Sequence, residues 1–281
     1  MPSRTADEII EDSEKGAFEL CQDSSDSLLK LSPNSIKNYI ERLIKNRYAM
    51  TPILDLANHI FLSMENDKDI RSQIKKYQKR LVTRREKTID AIADHIEKEN
   101  FQTILTMSYS STVIRSIKKG RKVIVLESRP KKEGRKSSKK FIEADVDVEY
   151  RIDAAMCEAL EDADCVLVGA DTISKEGFLN KVGTRPLAIC AEDLGTDFYV
   201  VADSSKILPA KIPTAKGESH APEEVWKTDE NVIVKNDYFE LTSLERAKFF
   251  MENGQNDHEE IRRKCKKKEV SDILLKYHPL I

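Results

Sequence analysis

The sequence predicts an α/β protein in which a helical region precedes a parallel β-sheet covered by helices. Two observations support this prediction. Residues 1–98 contain no convincing strand, and their apolar residues recur at helical spacing. From Phe101 onward, short apolar segments rich in valine alternate with helical patterns, as in parallel sheets with helices on both faces. We therefore expect a helical domain over residues 1–98 and an α/β domain over residues 99–281.

The N-terminal helices are predicted from start signals as well as from apolar spacing. Ser32-Pro33 and Thr51-Pro52 each place a capping residue before a proline, the order found where helices begin. A long, highly charged helix with a thin apolar stripe is expected from Asp67 to Lys98.

This long helix carries a basic run. Nine lysines and arginines lie between Lys68 and Lys87. Nucleic acid is one interpretation, but only Tyr77 among aromatic residues interleaves with the run, and no nucleic-acid-binding motif accompanies it. A solvated helix face explains the run more simply, and contact with RNA stays an open alternative.

Beyond residue 100 the patterns define strands, helices and one loop. The predicted strands are Thr103–Met107, Lys122–Glu127, Val146–Ile152, Cys165–Ala170 and Phe198–Ala202, with Asn231–Val234 as a further candidate. The predicted helices are Thr112–Lys119, a segment near Lys139–Ala144, Ala154–Ala159, Arg185–Leu194 and a basic helix at 262–268 with an apolar continuation at 270–275. A polar loop is expected from Gly217 to Asp229. No GxGxxG motif follows the first strand, so we expect no dinucleotide cofactor.

The composition limits the classes of protein to which this chain can belong. Charged residues make up 34% of the chain, yet 47 basic and 49 acidic side chains nearly cancel to a formal net charge of −2, which argues against a polyanionic partner. Five scattered cysteines without CxxC spacing predict buried, reduced thiols. No apolar run is as long as a membrane span and no signal peptide is recognised, so we expect a cytoplasmic protein with no membrane partner.

Candidate functional residues follow three of the predicted strands. The first group is Ser108, Tyr109 and Ser110, in a turn that closes a strand and opens a helix capped by Ser110 or Ser111 and ended by Gly120. Exposed backbone N–H groups and hydroxyls in such a turn can cradle a phosphate or a carboxylate. An ordinary capped turn is the alternative.

The second and third groups supply charge. Arg129 lies just past a strand and before a proline, where it can pair with a phosphate or form a structural ion pair. Asp171, just past the predicted strand Cys165–Ala170, can act as a general base or accept a hydrogen bond from a sugar hydroxyl. Asn180 and Lys181, before a helix that Thr184 would cap, can bind hydroxyls and negative charge, and a buried Asp171–Lys181 pair without a ligand is the alternative.

The segment GADTISKEGFLNKVGTRPLAICAEDLGTDFYVVADSSK, together with ILTMSYSSTV, VIVLESRPKKEGR and NDYFELTSLE, resembles the initiation factor 2B α/β/δ family. That family also includes ribose-1,5-bisphosphate isomerase and methylthioribose-1-phosphate isomerase. Lys15-Gly16-Ala17 is similar to the family's Arg-Gly-Ala element, and Arg47 falls near a phosphate-binding arginine of its sugar-phosphate members. The resemblance implies a Rossmann-like second domain and a homodimer or higher homo-oligomer built through it.

The resemblance also implies a function and the residues that carry it. The family's isomerases use a cysteine and an aspartate to move protons between sugar carbons; here the aspartate is Asp171, whereas Ser108 stands at the cysteine position. Because a serine hydroxyl is a much poorer proton carrier than a thiol, we expect a regulatory or assembly protein that binds a phosphorylated sugar or nucleotide, with a translation factor as a possible partner. The alternative is an aldose–ketose isomerase that works with Asp171 and Ser108. Neither hypothesis requires a cofactor or a metal ion.

Overall fold

The computed structural model describes residues 4–12, 15–215, 219–228 and 230–281. Among the described residues up to Lys98 there are helices and no strands, as predicted. These helices are α1 (Ala6–Ile10), α2 (Ala17–Leu28), α3 (Pro33–Arg47), α4 (Thr51–Glu65) and α5 (Ile70–Lys98). The predicted cap at Ser32 is confirmed, whereas the one at Thr51 is off by one residue, because Met50 is the N-cap and Thr51 already belongs to α4.

Strands and helices alternate in the rest of the described chain. The strands are β1 (Thr103–Thr106), β2 (Lys122–Leu126), β3 (Asp147–Arg151), β4 (Cys165–Val168), β5 (Thr172–Ile173), β6 (Phe178–Lys181), β7 (Asp197–Val201), β8 (Phe239–Thr242), β9 (Lys248–Met251) and β10 (Gly254–Asn256). The helices are α6 (Ser111–Ser116), α7 (Gly134–Glu143), α8 (Met156–Glu161), α9 (Thr184–Leu194), α10 (His258–Lys267) and α11 (Asp272–Tyr277). Seven strands form one sheet in the order β10-β9-β7-β4-β1-β2-β3, and only the β9–β10 pair is antiparallel.

Both faces of this sheet are covered, which explains the continuous apolar strands. All four residues of β4 are buried. In β1, Leu105 belongs to a core with Leu187 of α9, whereas the next residue back, Ile104, belongs to a core with Ile92 of α5. The C-terminal half of α5 therefore packs on the sheet, and the domain boundary at residue 98 stays a prediction.

We had expected the basic run on α5 to be a solvated helix face, but the structure shows that it is not simply that. Arg84 lies 3.3 Å from a carboxylate oxygen of Asp55 and 3.6 Å from one of Glu252. Arg85 is 8% exposed, and its guanidinium stacks 4.0 Å from the centre of the Phe18 ring. Part of the basic run thus binds other elements of the fold.

Several predicted elements are wrong or were missed. The described residues 231–234 form no strand, and Ile233 is 89% exposed. Helix α6 ends at Ser116, short of the predicted end. A second, antiparallel sheet in the order β5-β6-β8 was missed, because strands of two to four residues give too little alternation to recognise. Gly217 and Asp229, the ends of the predicted loop, lie outside the described residues.

The cysteines are only partly as expected. Cys21, Cys165 and Cys265 are buried free thiols. Cys157 and Cys190 form a disulfide, with Cα atoms 5.5 Å apart, because α8 and α9 pack side by side. Separately, among the described helices none combines the length and the apolar character needed to cross a membrane.

Candidate functional site

A cavity opens where the order of the parallel strands reverses. From β1 the chain proceeds to β2 and β3 on one side, and from β4 to β7 and β9 on the other. Ligands of open α/β sheets bind beyond the carboxyl ends of the strands at such a point. The cavity is lined by the turns after β1, β4 and β7, by Asn180 and by the start of α2: residues 16–19, 107–112, 169–171, 201–203 and 205–206.

The turn after β1 has a fixed, unusual conformation. Ser108 has a φ of 62°, in the left-handed region that costs a non-glycine residue about 1–2 kcal/mol. Two hydrogen bonds hold it there: its N–H donates to Ser128 Oγ (2.7 Å), and its carbonyl accepts from Ser137 Oγ (2.6 Å). Ser110 caps α6 as predicted, by accepting from the Val113 N–H. The hydroxyls of this turn are therefore held against the cavity.

Asp171 lies in the turn after β4, where a carboxylate was predicted. Its side chain is 32% exposed, and Oδ1 lies 3.8 Å from Lys206 Nζ. Burial raises the pKa of Asp171 above its usual value, and the charges of Lys206 and Lys181 offset that effect only in part. A carboxylate with a raised pKa holds a proton more readily near neutral pH, which suits a general base.

Lys181 pairs with a different carboxylate from the one expected. Its ammonium is buried, 3.0 Å from Glu133 Oε2 and 4.5 Å from the centre of the Tyr238 ring. The Asp171–Lys181 ion pair, which was the alternative to a ligand site, is therefore not formed. Glu133 Oε2 also accepts a hydrogen bond from Ser108 Oγ at 3.2 Å. A serine of the cavity wall is thus connected through Glu133 to a buried lysine.

Asn180 and Tyr109 reach the cavity wall as predicted. Asn180 Nδ2 donates to Thr184 Oγ1 (3.0 Å), and the Lys136 ammonium lies 4.1 Å from the centre of the Tyr109 ring. Thr184 is the first residue of α9 and not its cap; the N-cap is Gly183.

Three predicted ligand-binding cations do not line the cavity. Arg129 is exposed, and its guanidinium donates to the Val225 carbonyl at 3.4 Å. The guanidinium of Arg47 donates to backbone carbonyls between α1 and α2, including that of Asp12 at 2.7 Å. Lys15 Nζ binds Asp23 Oδ2 at 2.6 Å, although the neighbouring Gly16 and Ala17 line the cavity.

The N-terminus of α9 is also occupied from within the chain. The N–H groups of Gly183 and Arg185 donate to Glu240 Oε1 at 2.7 and 2.9 Å. An internal carboxylate therefore satisfies two of the amides at this helix start.

Sequence reasoning missed Lys206, Glu133 and Glu19 as site residues. Lys206 follows β7 in the run Asp203-Ser204-Ser205-Lys206, the same kind of polar turn after an apolar strand that identified Asp171. Glu133 stood in a recognised motif, but no role was assigned to it. Glu19 lines the cavity and accepts from Ser111 Oγ at 3.0 Å.

Comparisons with known proteins find relatives that match most of this chain. A ribose 1,5-bisphosphate isomerase of Archaeoglobus fulgidus is 26% identical, over 84% of this chain and 85% of the relative. A Pyrococcus horikoshii protein named eIF-2B subunit 2-like is 30% identical, over 79% of this chain and 80% of the relative. The crystal structure of a P. horikoshii translation initiation factor eIF-2B shares the fold, with a TM-score of 0.76 and 24% identity over 89% of this chain and 94% of that one. The model of the initiation factor 2 subunit family matches residues 8–262, and this chain belongs to that family.

Proposed function

We propose that this protein binds a phosphorylated pentose in the cavity and interconverts its aldose and ketose forms. The observation that carries the proposal is Asp171, a carboxylate with a raised pKa that lines a cavity at the reversal of strand order. The relative named ribose 1,5-bisphosphate isomerase supports the same substrate class.

The reaction needs few groups, and the cavity supplies them. Moving a carbonyl along a sugar requires a base that takes a proton from one carbon and returns it to the neighbouring carbon, without any oxidant. Asp171 is placed to be that base, and Lys206, 3.8 Å away, can stabilise the negative charge that develops on the sugar oxygens. Ser110 lines the cavity and offers its hydroxyl to a phosphate group.

Incubation of the protein with ribose 1,5-bisphosphate, followed by detection of the ketose product, tests the proposal. Turnover by the unmodified protein supports it. Binding of the sugar bisphosphate without any product, or the absence of binding, would contradict it.

A second candidate is a regulatory or assembly protein that binds a phosphorylated sugar or nucleotide without reaction. The observations that favour it are Ser108, which the family resemblance places where the isomerases have a cysteine, and the eIF-2B-like relative. Thermal-shift measurements with sugar bisphosphates and nucleoside monophosphates separate the candidates. A shift with a nucleotide, combined with no turnover of any sugar phosphate, would favour this second function and a translation-factor partner.

The charge of the cavity leads to a prediction about affinity. Among the described lining residues, the carboxylates of Glu19, Asp171 and Asp203 face the single ammonium of Lys206. A phosphorylated ligand adds negative charge, so Glu19→Gln, which keeps the shape and the bond from Ser111, should tighten binding of ribose 1,5-bisphosphate about tenfold, or ~1.4 kcal/mol. Isothermal titration calorimetry measures the change.

The matched control is Glu158→Gln, an exposed glutamate on α8 outside the cavity lining, which should leave the affinity unchanged. Weaker binding by Glu19→Gln would show that the carboxylate holds sugar hydroxyls, and would refute the repulsion argued here.

We also propose a homo-oligomer assembled through the α/β part of the chain. Ile152, Ile189 and Leu241 are 60%, 43% and 40% exposed, and they lie on neighbouring elements around α8, α9 and β8. Ile189→Lys should therefore shift the protein to a smaller species in size-exclusion chromatography with light scattering. Ile142→Lys, at a 64% exposed position on α7 across the sheet, is the control and should not. A monomeric unmodified protein would refute the proposal.

A further inference from the structure

Glu133 lies between the cavity wall and a buried charge. A single carboxylate oxygen, Oε2, accepts from Ser108 Oγ at 3.2 Å and lies 3.0 Å from Lys181 Nζ. The Glu133 side chain is 28% exposed and that of Lys181 is 2% exposed. The Lys181 ammonium makes no directional hydrogen bond to a described atom, so its attraction to Glu133 is chiefly one of charge.

The fold fixes Glu133 in this place. A Cβ added to Gly134 would meet the Leu126 carbonyl oxygen at 2.0 Å, so only glycine lets the chain pass this close to the end of β2. The same approach brings Glu133, which immediately precedes α7, beside the turn after β1. Ser108 is held from the other side by its bonds with Ser128 and Ser137.

A carboxylate at this position changes what a serine can do. A serine hydroxyl alone holds its proton too tightly to exchange it with a substrate near neutral pH. A neighbouring base can accept the serine's own proton while the serine oxygen takes a proton from the substrate. The hydroxyl then acts as a relay between the substrate and that base. Lys181, a buried cation 3.0 Å from Glu133 Oε2, attracts this carboxylate and holds it beside the Ser108 hydroxyl.

We propose that Ser108, Glu133 and Lys181 form a proton relay that does the work of the cysteine found in the related isomerases. Ser108 is the group that meets the substrate, Glu133 acts through it, and Lys181 holds the Glu133 carboxylate in place. While Asp171 carries the carbon-bound proton, the Ser108 oxygen takes the proton of a sugar hydroxyl, its own O–H bond breaks and that proton passes to Glu133 Oε2. The reverse transfer returns a proton to the sugar, so no oxidant or net proton is required. This inference rests on the proposed isomerase function.

The test measures Glu133→Gln in two backgrounds. With Ser108 present, we expect kcat for ribose 1,5-bisphosphate to fall about 100-fold with KM little changed. In the Ser108→Cys background the same change should cost less than about fivefold, because a thiol with a pKa near 8.5 loses and gains its proton without help. A merely structural role for Glu133 would cost the same factor in both backgrounds.

Two further variants keep the test sharp. Glu133→Asp retains the carboxylate and should recover part of the lost kcat. This variant also tests the relay if Glu133→Gln folds poorly. Glu143→Gln, on the exposed side of α7 and paired only with Lys140, should have no effect. Equal losses in both backgrounds, or full activity of Glu133→Gln, would overturn the relay alone. An inactive unmodified protein would overturn the isomerase function and the relay together.

Discussion

Asp171→Asn is expected to lower the isomerase kcat about 1,000-fold, because the amide cannot accept a proton from the sugar. The same variant should be no less stable than the unmodified protein. Burial raises the pKa of Asp171, so the folded state binds the proton more tightly than the unfolded state does. Ionised Asp171 therefore destabilises the fold near neutral pH, and asparagine removes that cost. Turnover assays and thermal unfolding measure the two effects.

The pH dependence follows from the same shift. Protonated Asp171 is no base, so kcat/KM should fall as the pH is lowered through the raised pKa of this group, at a higher pH than for an ordinary aspartate. The charges that act on Asp171 are those of Lys206, Glu133 and Lys181.

Asp193→Asn, at an exposed position on α9, is the control and should leave both activity and its pH profile unchanged. Retained turnover in Asp171→Asn would remove the base from the mechanism. A large fall in its melting temperature would show instead that Asp171 serves the fold.

The sequence predicted those site residues whose positions depend only on where parallel strands end. Asp171 and the Ser108–Ser110 turn line the cavity, because the carboxyl ends of β1 and β4 share one edge of the sheet. Lys206 belongs to the same edge, but it could be assigned there only once β7 was known to pair with β4. Apolar runs specify strands and leave their order in the sheet undetermined.

The direction of a side chain in a loop was beyond such reasoning. Arg129 was expected to turn toward the ligand, but Asp153 binds the N–H groups of Ser128 and Arg129 at 2.7 and 2.8 Å and sets the course of this turn. Ser128 has a φ of 63°, in the left-handed region. No local sequence pattern predicts this conformation, because the carboxylate that supports it, that of Asp153, lies 25 residues from Ser128 in sequence. In consequence Glu133, and not Arg129, reaches the site from this loop.

The second large effect concerns stability. Asp55→Ala is expected to lower the free energy of unfolding by about 3–5 kcal/mol, because it removes the buried carboxylate that two partly buried cations, Lys268 and Arg84, share. The Asp55 side chain is 6% exposed and lies 2.6 Å from Lys268 Nζ and 3.3 Å from Arg84 Nη1, and its Oδ2 accepts from the Tyr77 hydroxyl at 3.0 Å. For a chain of this size the melting temperature should fall on the order of 10 °C. Thermal and denaturant unfolding measure the loss.

The sign of the pH dependence is opposite to that for Asp171. Burial by itself would raise the pKa of Asp55, but the charges of Lys268 and Arg84 outweigh it, and the pKa lies below its usual value. The stabilisation is therefore present above the unfolded-state pKa of about 3.9 and is lost as the pH falls through the lower folded-state value. The difference between Asp55→Ala and the unmodified protein should accordingly shrink below about pH 4.

A double variant tests whether the loss comes from the unpaired charge. Asp55→Ala combined with Lys268→Met should cost less than the sum of the two single changes, because the second removes a cation that the first leaves unpaired. Asp94→Ala, an exposed aspartate on α5, is the control and should change the free energy of unfolding by no more than about 0.5 kcal/mol. Strictly additive losses would refute the coupling. Because Lys268 also donates to the Ser204 and Ile207 carbonyls on either side of Lys206, a coupled result would mean that α4 helps to hold the turn that carries Lys206.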